Sequence, residues 1–437
     1  QPLIDYVREC GYNYVEFLPI SEHPCDESWG YQITGFYAPT SRYGTARELM
    51  MLIDRLHQAG IGVILDFVPA HFAVDDYGLA RYDGTALYEY PHRDVEVSEW
   101  GSHNFMHSRG EVRSFLQSCA RYWLEEFHFD GLRMDAISRI LYWQGDEARG
   151  VNGDGVAFLR TMNQGLKHLC PGCILAAEDS TNFPKVTAPA EQGGLGFTYK
   201  WDMGWMHDTL SYFQTPPEDR PARRHQITFS MHYFPQERYL LPLSHDEVVH
   251  GKATILQKMH GGYDGKFPQA RALYLYMMVH PGKKLNFMGN EIGHFREWDE
   301  HREQDWLLRD FPIHDAFYHY MARLNHIYLD HPALSRWDYR PEGFAWLDGR
   351  GEESCVFAIQ RQGGGERMVA LFNFGAQARQ YRLPATAGAK LLLHTDWQRF
   401  GGSTPEGEEP KPAGGALTVC LPPCSGQLFC MESYKYS

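Results

Sequence analysis

Phe129-Asp130-Gly131-Leu132-Arg133-Met134-Asp135-Ala136 is the stretch whose reading decides the fold. Leu132 and Met134 alternate with Arg133 and Asp135, and in an extended chain a two-residue period sends neighbours to opposite faces. The segment reads as a short buried strand that ends on charge, with Arg133 and Asp135 on one side. A guanidinium beside a carboxylate favours its ionised form, which suits a nucleophile. Structural ion pairs look the same in isolation, so the rest of the chain has to decide.

Working outward, Val112, Phe115, Leu116, Cys119, Trp123 and Phe127 form a helical stripe leading into that strand. Further upstream, Leu3 to about Glu9 predicts a helix stopped by Gly11, and residues 14–18 a strand closed by Pro19. Residues 45–59 predict a helix ending at Gly60, and residues 61–68 a strand so apolar that both of its faces must be covered. Residues 72–108 are a long polar and aromatic excursion.

Downstream the alternation continues, with a helix through Val156, Leu159, Met162, Leu166 and Leu169 and a strand over residues 173–178 that again ends on a carboxylate. Residues 196–201, 239–243 and 284–288 are further candidate strands, the last preceded by an apolar helix over 270–279. Strands alternating with helices imply right-handed crossovers and a parallel sheet. The expected fold is a TIM (β/α)8-type barrel lacking its first strand, because polar residues gather at the C-terminal ends of several strands. A doubly wound sheet would instead place its ligand at one switch point.

From about Trp337 short apolar runs separated by Gly, Pro and charged turns predict an antiparallel β-sandwich, with an exposed loop over residues 401–415. The expected domains are residues 1–335, the incomplete barrel, and residues 336–437, the sandwich. The chain opens on Gln1 with helical signals at once, so it reads as cut from a longer protein. A barrel short of one strand would expose two strand edges and favour aggregation.

A formal charge of −14 disfavours nucleic acid and anionic membrane as partners and is easier to reconcile with a neutral ligand. An aromatic content of 14% leaves rings for stacking on such a ligand. Nine scattered cysteines argue for reduced thiols in a cytoplasmic compartment, and Cys170-Pro171-Gly172-Cys173 reads as a loop before a strand. No run has the length of a membrane span, and no signal peptide opens the chain.

Charge stands at four strand ends: Asp66 with His71, Arg133 with Asp135, Glu178, and His245 with Asp246. In a barrel these would converge at one mouth. Paired carboxylates about 5 Å apart perform retaining glycosyl transfer, one attacking the anomeric carbon and the other protonating the leaving oxygen. Asp135 suits the first role. Glu178 suits the second, since the apolar residues 174–177 before it would help it hold a proton.

Residues 66–71 (DFVPAH), 131–136 (GLRMDA), 177–180 (AEDS) and 243–247 (LSHDE) resemble, in order, the four motifs of the α-amylase superfamily, family 13 of the glycoside hydrolases. Residues 18–24, 29–32, 37–44, 193–197, 200–210, 244–252 and 287–291 narrow the resemblance to its branching-enzyme family, over nearly the whole chain. The resemblance implies a hexosyltransferase that cuts α-1,4-glucan chains and re-attaches the segment through an α-1,6 bond. It implies Asp135 as nucleophile, Glu178 as proton donor and base, and Asp246 as transition-state stabiliser. His71 and His245 would hydrogen-bond sugar hydroxyls, Tyr31 would stack on the glucose, and Asp66 would order His71 and Arg133. It further implies an α-1,4-glucan partner, no cofactor and a monomer at full length. Ala70 stands where family amylases carry a calcium-ligating Asn, so no metal is implied. Asn152-Gly153-Asp154-Gly155 reads as a turn, and Gly261–Lys266 lacks the Ser or Thr of a phosphate loop. Alternatives are an amylolytic hydrolase with the same motifs and a silent glucan-binding protein; the latter predicts loss of Asp135, Glu178 or Asp246, and all are present.

Overall fold

The computed structural model describes residues 1–349, 355–384, 388–407 and 415–431. They form two compact units. The first comprises Gln1–Arg8, Tyr12–Trp201 and Gln236–Arg238; the second takes Glu9–Gly11, Asp202–Pro235 and the described residues from Tyr239 on. Compactness thus divides the chain after Trp201, whereas its sequence texture changes near residue 336.

In the first unit β1 (Tyr14–Phe17), β2 (Gly62–Phe67), β3 (Gly131–Met134), β4 (Ile174–Ala177) and β5 (Tyr199–Trp201) lie side by side in that order. All four pairings are parallel. The register sets Phe67 opposite Met134 and Met134 opposite Ala177, so β2, β3 and β4 finish level. Residues just past each strand therefore emerge together. Close strand approach explains Gly131, where a Cβ would meet the Ile174 carbonyl oxygen at 2.4 Å.

Helices α2 (Ala46–Gln58), α3 (Gly110–Glu125) and α4 (Gly153–Leu169) separate these strands, after α1 (Pro2–Glu9). The start of α2 is fixed by a reciprocal capping box between Thr45 and Glu48, a device worth about 1 kcal/mol. Ile53, Leu56, Leu116, Trp123 and Leu159 from the helices and Val63, Leu65, Leu132 and Leu175 from the strands share one buried core. Each fully buried Leu or Ile side chain contributes about 1.5–3 kcal/mol. Asn152 corrects one reading: residues 152–155 are the start of α4 rather than a free turn, because the Asn152 side chain accepts the Gly155 N–H at 3.2 Å.

The excursion after β2 pairs His71–Phe72 with His103–Asn104 in a short antiparallel ladder. Phe72 and Phe105 pack at 4.6 Å between centroids and Phe36 and Phe105 at 5.4 Å, which gives this segment an aromatic core of its own.

In the second unit β6 (Tyr239–Leu243) and β7 (Lys283–Asn286) pair in parallel, with α5 (Met203–Gln214), α6 (Tyr263–Val279) and α7 (Pro312–Asp330). The phosphate-loop echo at 261–266 is the start of α6, where Lys266 Nζ donates to the Gln257 carbonyl at 2.7 Å. Beyond α7 lies a five-stranded antiparallel sheet in the order Phe344–Asp348, Val356–Gly363, Glu366–Asn373, Ser425–Met431, Ala389–His394. Arg379–Pro384 pairs with Ala416–Leu421 in a second sheet, so the predicted antiparallel sandwich is present. Its larger sheet shares a core with α5 and α6, with Phe213 and Phe374 at 5.1 Å. Buried Arg361 spans the same junction, donating to the Val279 carbonyl at 2.8 Å and to Asp338 at 2.7 Å. Of the loop expected over 401–415, residues 408–414 lie outside the described residues; its opening is pinned where Asp396 accepts from Ser403 and Thr404.

Candidate active site

Parallel pairing puts Asp66 of β2 directly opposite Arg133 of β3. Partners in a parallel register point to the same face, so an acid and a base there must meet. Arg133 is completely buried, and its Nη1 donates to Asp66 Oδ1 at 2.7 Å, to Asp66 Oδ2 at 2.8 Å and to Asp135 Oδ1 at 2.8 Å. Nη2 lies 3.8 Å from Glu178 Oε2. The guanidinium carbon sits 4.3 Å from the centre of the Trp201 ring and 6.0 Å from that of Tyr31. Burial opposes the charge on Arg133, but Asp66, Tyr31, Asp135 and Glu178 outweigh it and hold the guanidinium protonated.

Tyr31 donates its hydroxyl to Asp66 Oδ2 at 2.5 Å. Burial first, and the Asp66 charge second, push the Tyr31 phenol far above its ordinary range, so it stays a donor. Burial also pushes the Asp66 carboxyl up while Arg133 pulls it back. With donors on both oxygens, the ionised form of Asp66 is the one the geometry serves.

Asp135 follows β3 with its side chain 14% exposed, so a ligand can reach it while Arg133 fixes its orientation. Ala136, next in the chain, has a left-handed backbone at φ +46°. That turn aims the Ala136 N–H at Glu178 Oε2, 2.7 Å away, and the Ile137 N–H at the Glu178 carbonyl, 3.1 Å away. Glu178 in turn donates its N–H to the Met134 carbonyl at 3.0 Å. The carboxylate expected to sit among apolar neighbours instead meets an N–H and a guanidinium.

His71 is buried with its ring 5.2 Å from that of Trp100. Burial, helped by the charge of Arg139, lowers its pKa to about 4, so the ring is neutral at pH 7. Its Nδ1 is buried and, among the described residues, has no hydrogen-bond partner. Asp66, expected to order His71 and Arg133, accepts hydrogen bonds from Arg133 and Tyr31.

In the second unit His245 and Asp246 follow β6, with His245 Nε2 3.5 Å from Asp246 Oδ1. His245 is buried against Phe287, whereas the Asp246 side chain is 45% exposed. The loop beyond them is pinned from two sides. Lys258 Nζ donates to the carbonyls of Glu247, Lys252 and Ala253, and Glu297 accepts the N–H groups of Gly251 at 2.9 Å and Ala253 at 2.7 Å.

Several supporting residues escaped the sequence reading. Lys200, on β5, pairs with buried Asp179 at 2.9 Å and donates to the Thr181 carbonyl at 2.8 Å, holding the segment after Glu178. Trp201 forms the floor under Arg133. A charge and a ring at the end of a predicted strand were the available signals for both. Among the described residues, Glu89, Glu96 and His103 have metal-like spacing, their ligand atoms lying within 4.8 Å of one another. Arg81 already bonds Glu96 at 2.6 Å and approaches Glu89 at 3.4 Å, so a cation of the protein's own occupies that role.

Comparison with known proteins agrees with this geometry. The profile described as "Alpha amylase, catalytic domain" matches residues 2–83, and "Alpha amylase, C-terminal all-beta domain" matches residues 346–431. The 1,4-α-glucan branching enzyme of Bacillus caldolyticus is 46% identical over 92% of this chain, and that of Leifsonia xyli 47% identical over 98%. The chain spans 61% of the length of each. A solved α-amylase from Geobacillus thermoleovorans superposes with a TM-score of 0.73 at 17% identity, covering 99% of this chain and 91% of its own; at that identity the likeness shows the fold, a (β/α) barrel with an all-β C-terminal domain. Read with the Arg133 network on adjoining strand ends, these likenesses make the chain similar to the 1,4-α-glucan branching enzymes and, over residues 2–83 and 346–431, to the α-amylase catalytic and C-terminal domain families.

Proposed function

We propose that the protein of which this chain is part branches α-glucans, cutting an α-1,4 bond and rejoining the freed segment through an α-1,6 bond. The observation that carries the reading is Arg133, which holds Asp135 at 2.8 Å while Glu178 stands 3.8 Å from the same guanidinium. Two carboxyl groups kept side by side suit retaining double displacement.

Asp135 attacks C1 of a glucosyl unit as the C1–O4 bond breaks, and Glu178 gives its proton to the departing O4. A covalent glucosyl ester on Asp135 results. Glu178, now a base, takes the proton of a 6-hydroxyl on an acceptor chain; O6 bonds to C1 and Asp135 leaves, so two inversions give net retention. Asp246 stabilises the positive charge that develops on the sugar ring. His71 and His245 bind sugar hydroxyls, and Tyr31 offers its ring to the glucose while its hydroxyl steadies Asp66. Transfer prevails over hydrolysis when a positioned acceptor outcompetes water. The likeness to branching enzymes supports these roles, as does the buried His71 Nδ1, which has no hydrogen-bond partner among the described residues.

The reaction needs no cofactor, since both acid-base steps fall to carboxyl groups. We propose a monomer acting in the cytoplasm on glycogen-like polysaccharide, with neither nucleic acid nor membrane as partner. Its nine cysteines are all free thiols, and among the described residues no helix is long and apolar enough to cross a membrane. The test uses the full-length protein on amylose, counting α-1,6 linkages against new reducing ends. Linkages rising with few new ends are expected; new ends without linkages would make it a hydrolase.

A further inference from the structure

Trp100 lies in the excursion between β2 and α3, with 46% of its surface exposed. Leaving so large an apolar ring half in water forgoes burial energy, and here the ring is also held still. Its backbone N–H donates to Ser98 Oγ at 3.2 Å, the Ser98 and Ser102 hydroxyls clasp at 2.6 Å, and Ser98 N–H donates to the Ser102 carbonyl at 2.8 Å. Both serines are buried. Gly101, at φ +76°, supplies the left-handed turn that the clasp requires. Gln32, next to Tyr31, donates to the Trp100 carbonyl at 3.2 Å and ties the turn to the Tyr31 segment.

The ring itself has two neighbours. His71 leans on it at 41°, and the Arg139 guanidinium lies 4.9 Å from its centre. Arg139 belongs to the segment just after Asp135, and it is fixed there by an ion pair to Glu99 and a bond to the Gln144 carbonyl. The indole is therefore braced from the strand end that carries Asp135, and it borders a histidine whose buried Nδ1 has no hydrogen-bond partner among the described residues.

From this arrangement we infer that Trp100 is a stacking platform for a second glucosyl unit of the α-glucan, adjoining the unit whose hydroxyls His71 binds. A pyranose presents a flat C–H face and a hydroxyl rim, which matches a flat apolar ring beside a polar acceptor. Rigidity matters because a ring ordered before binding loses little entropy when the sugar arrives. The inference rests on the functional reading above and deepens it, since this contact helps to decide which bond along the chain is presented to Asp135.

The test compares full-length wild type, W100F and W100L, reading maltoheptaose affinity by calorimetry and KM and kcat on amylose. Stacking of this kind is worth about three- to tenfold in affinity. W100L is expected to lose about that much maltoheptaose affinity and to raise KM more than it lowers kcat, with W100F in between. Where W100L does not fold, W100Q, compatible with solvent at this half-exposed position, carries the same expectation. Lowered stability or kcat in W100L with affinity and KM unchanged would show a purely structural brace and overturn the stacking role alone. Wild type that binds maltoheptaose but leaves amylose unaltered would instead overturn the functional reading and this inference with it.

Discussion

The N–H of Ala136, carried on a left-handed backbone at φ +46°, is directed at Glu178 Oε2 from 2.7 Å. A non-glycine residue in that region costs about 1–3 kcal/mol and persists only where its surroundings enforce it. Here the return is a fixed carboxyl on the neighbouring strand end. A136V, which adds a β-branch to the strained position, is expected to lower stability by about 1–3 kcal/mol and to reduce kcat as Glu178 loses its donor. A136G keeps the N–H and is expected to stay within about 1 kcal/mol of wild type. Thermal unfolding with amylose-branching rates checks both, and an unaffected A136V would mean that the turn has no hold on Glu178.

Arg133 and Asp66 are both about 1% exposed, so neither charge can turn to water if its partner goes. R133K keeps the charge and loses the fork that reaches Asp66 and Asp135 together. Leaving a buried charge poorly paired costs about 3–5 kcal/mol. Denaturant unfolding is expected to show a loss approaching that range, with branching activity falling in parallel. Full stability in R133K would make the forked geometry dispensable.

D135N and E178Q each remove one proposed chemical step. Each is expected to lower the branching rate by at least about a hundredfold, and the double variant by little more than the worse single one, because the two groups act as a unit. D246N is expected to lower kcat comparably. All three should fold, and iodine staining of amylose gives the readout. Substantial branching by D135N would remove Asp135 from its assigned role.

Buried histidines, among them His71, His107 and His280, carry a signature in pH. Burial lowers the pKa of His71 and His107 to about 4 and of His280 to about 3. Between those values and about 6.5 the unfolded chain binds protons that the folded chain refuses, so stability rises with pH across that window and is lost as pH falls through it. At 1.36 kcal/mol per pH unit, His71 and His107 each contribute at most about 3 kcal/mol and His280 at most about 5 kcal/mol. Urea midpoints are expected to fall steeply from pH 6.5 to pH 4.5. H107Q, which can still donate to the Pro69 carbonyl that His107 meets at 2.9 Å, should flatten that slope. An unchanged slope would place the acid sensitivity elsewhere.

Much of this protein is legible in its sequence. The period that set Arg133 and Asp135 on one side of a strand holds, and they meet at 2.8 Å. The apolar run over 61–68, the helical stripe before Phe129 and the alternating segments after residue 355 became β2, α3 and the sandwich with shifts of a residue or two, because burial patterns are local and periodic. The motifs carrying Asp66, His71, Arg133, Asp135, Glu178, His245 and Asp246 were visible as residue types at predicted strand ends. Where each side chain finds its partner was another matter. That Asp66 serves Arg133 and Tyr31 rather than His71, that Ala136 takes a left-handed turn to reach Glu178, and that Trp100 stands against His71 all follow from strand register and loop closure across long stretches of sequence. Sequence by itself determined which residues are apolar, charged or strand-forming, since those are properties of side chains and their neighbours in the chain. Only the tertiary structure decided which charge is desolvated beside which, since that depends on residues distant in sequence being brought within a few ångströms.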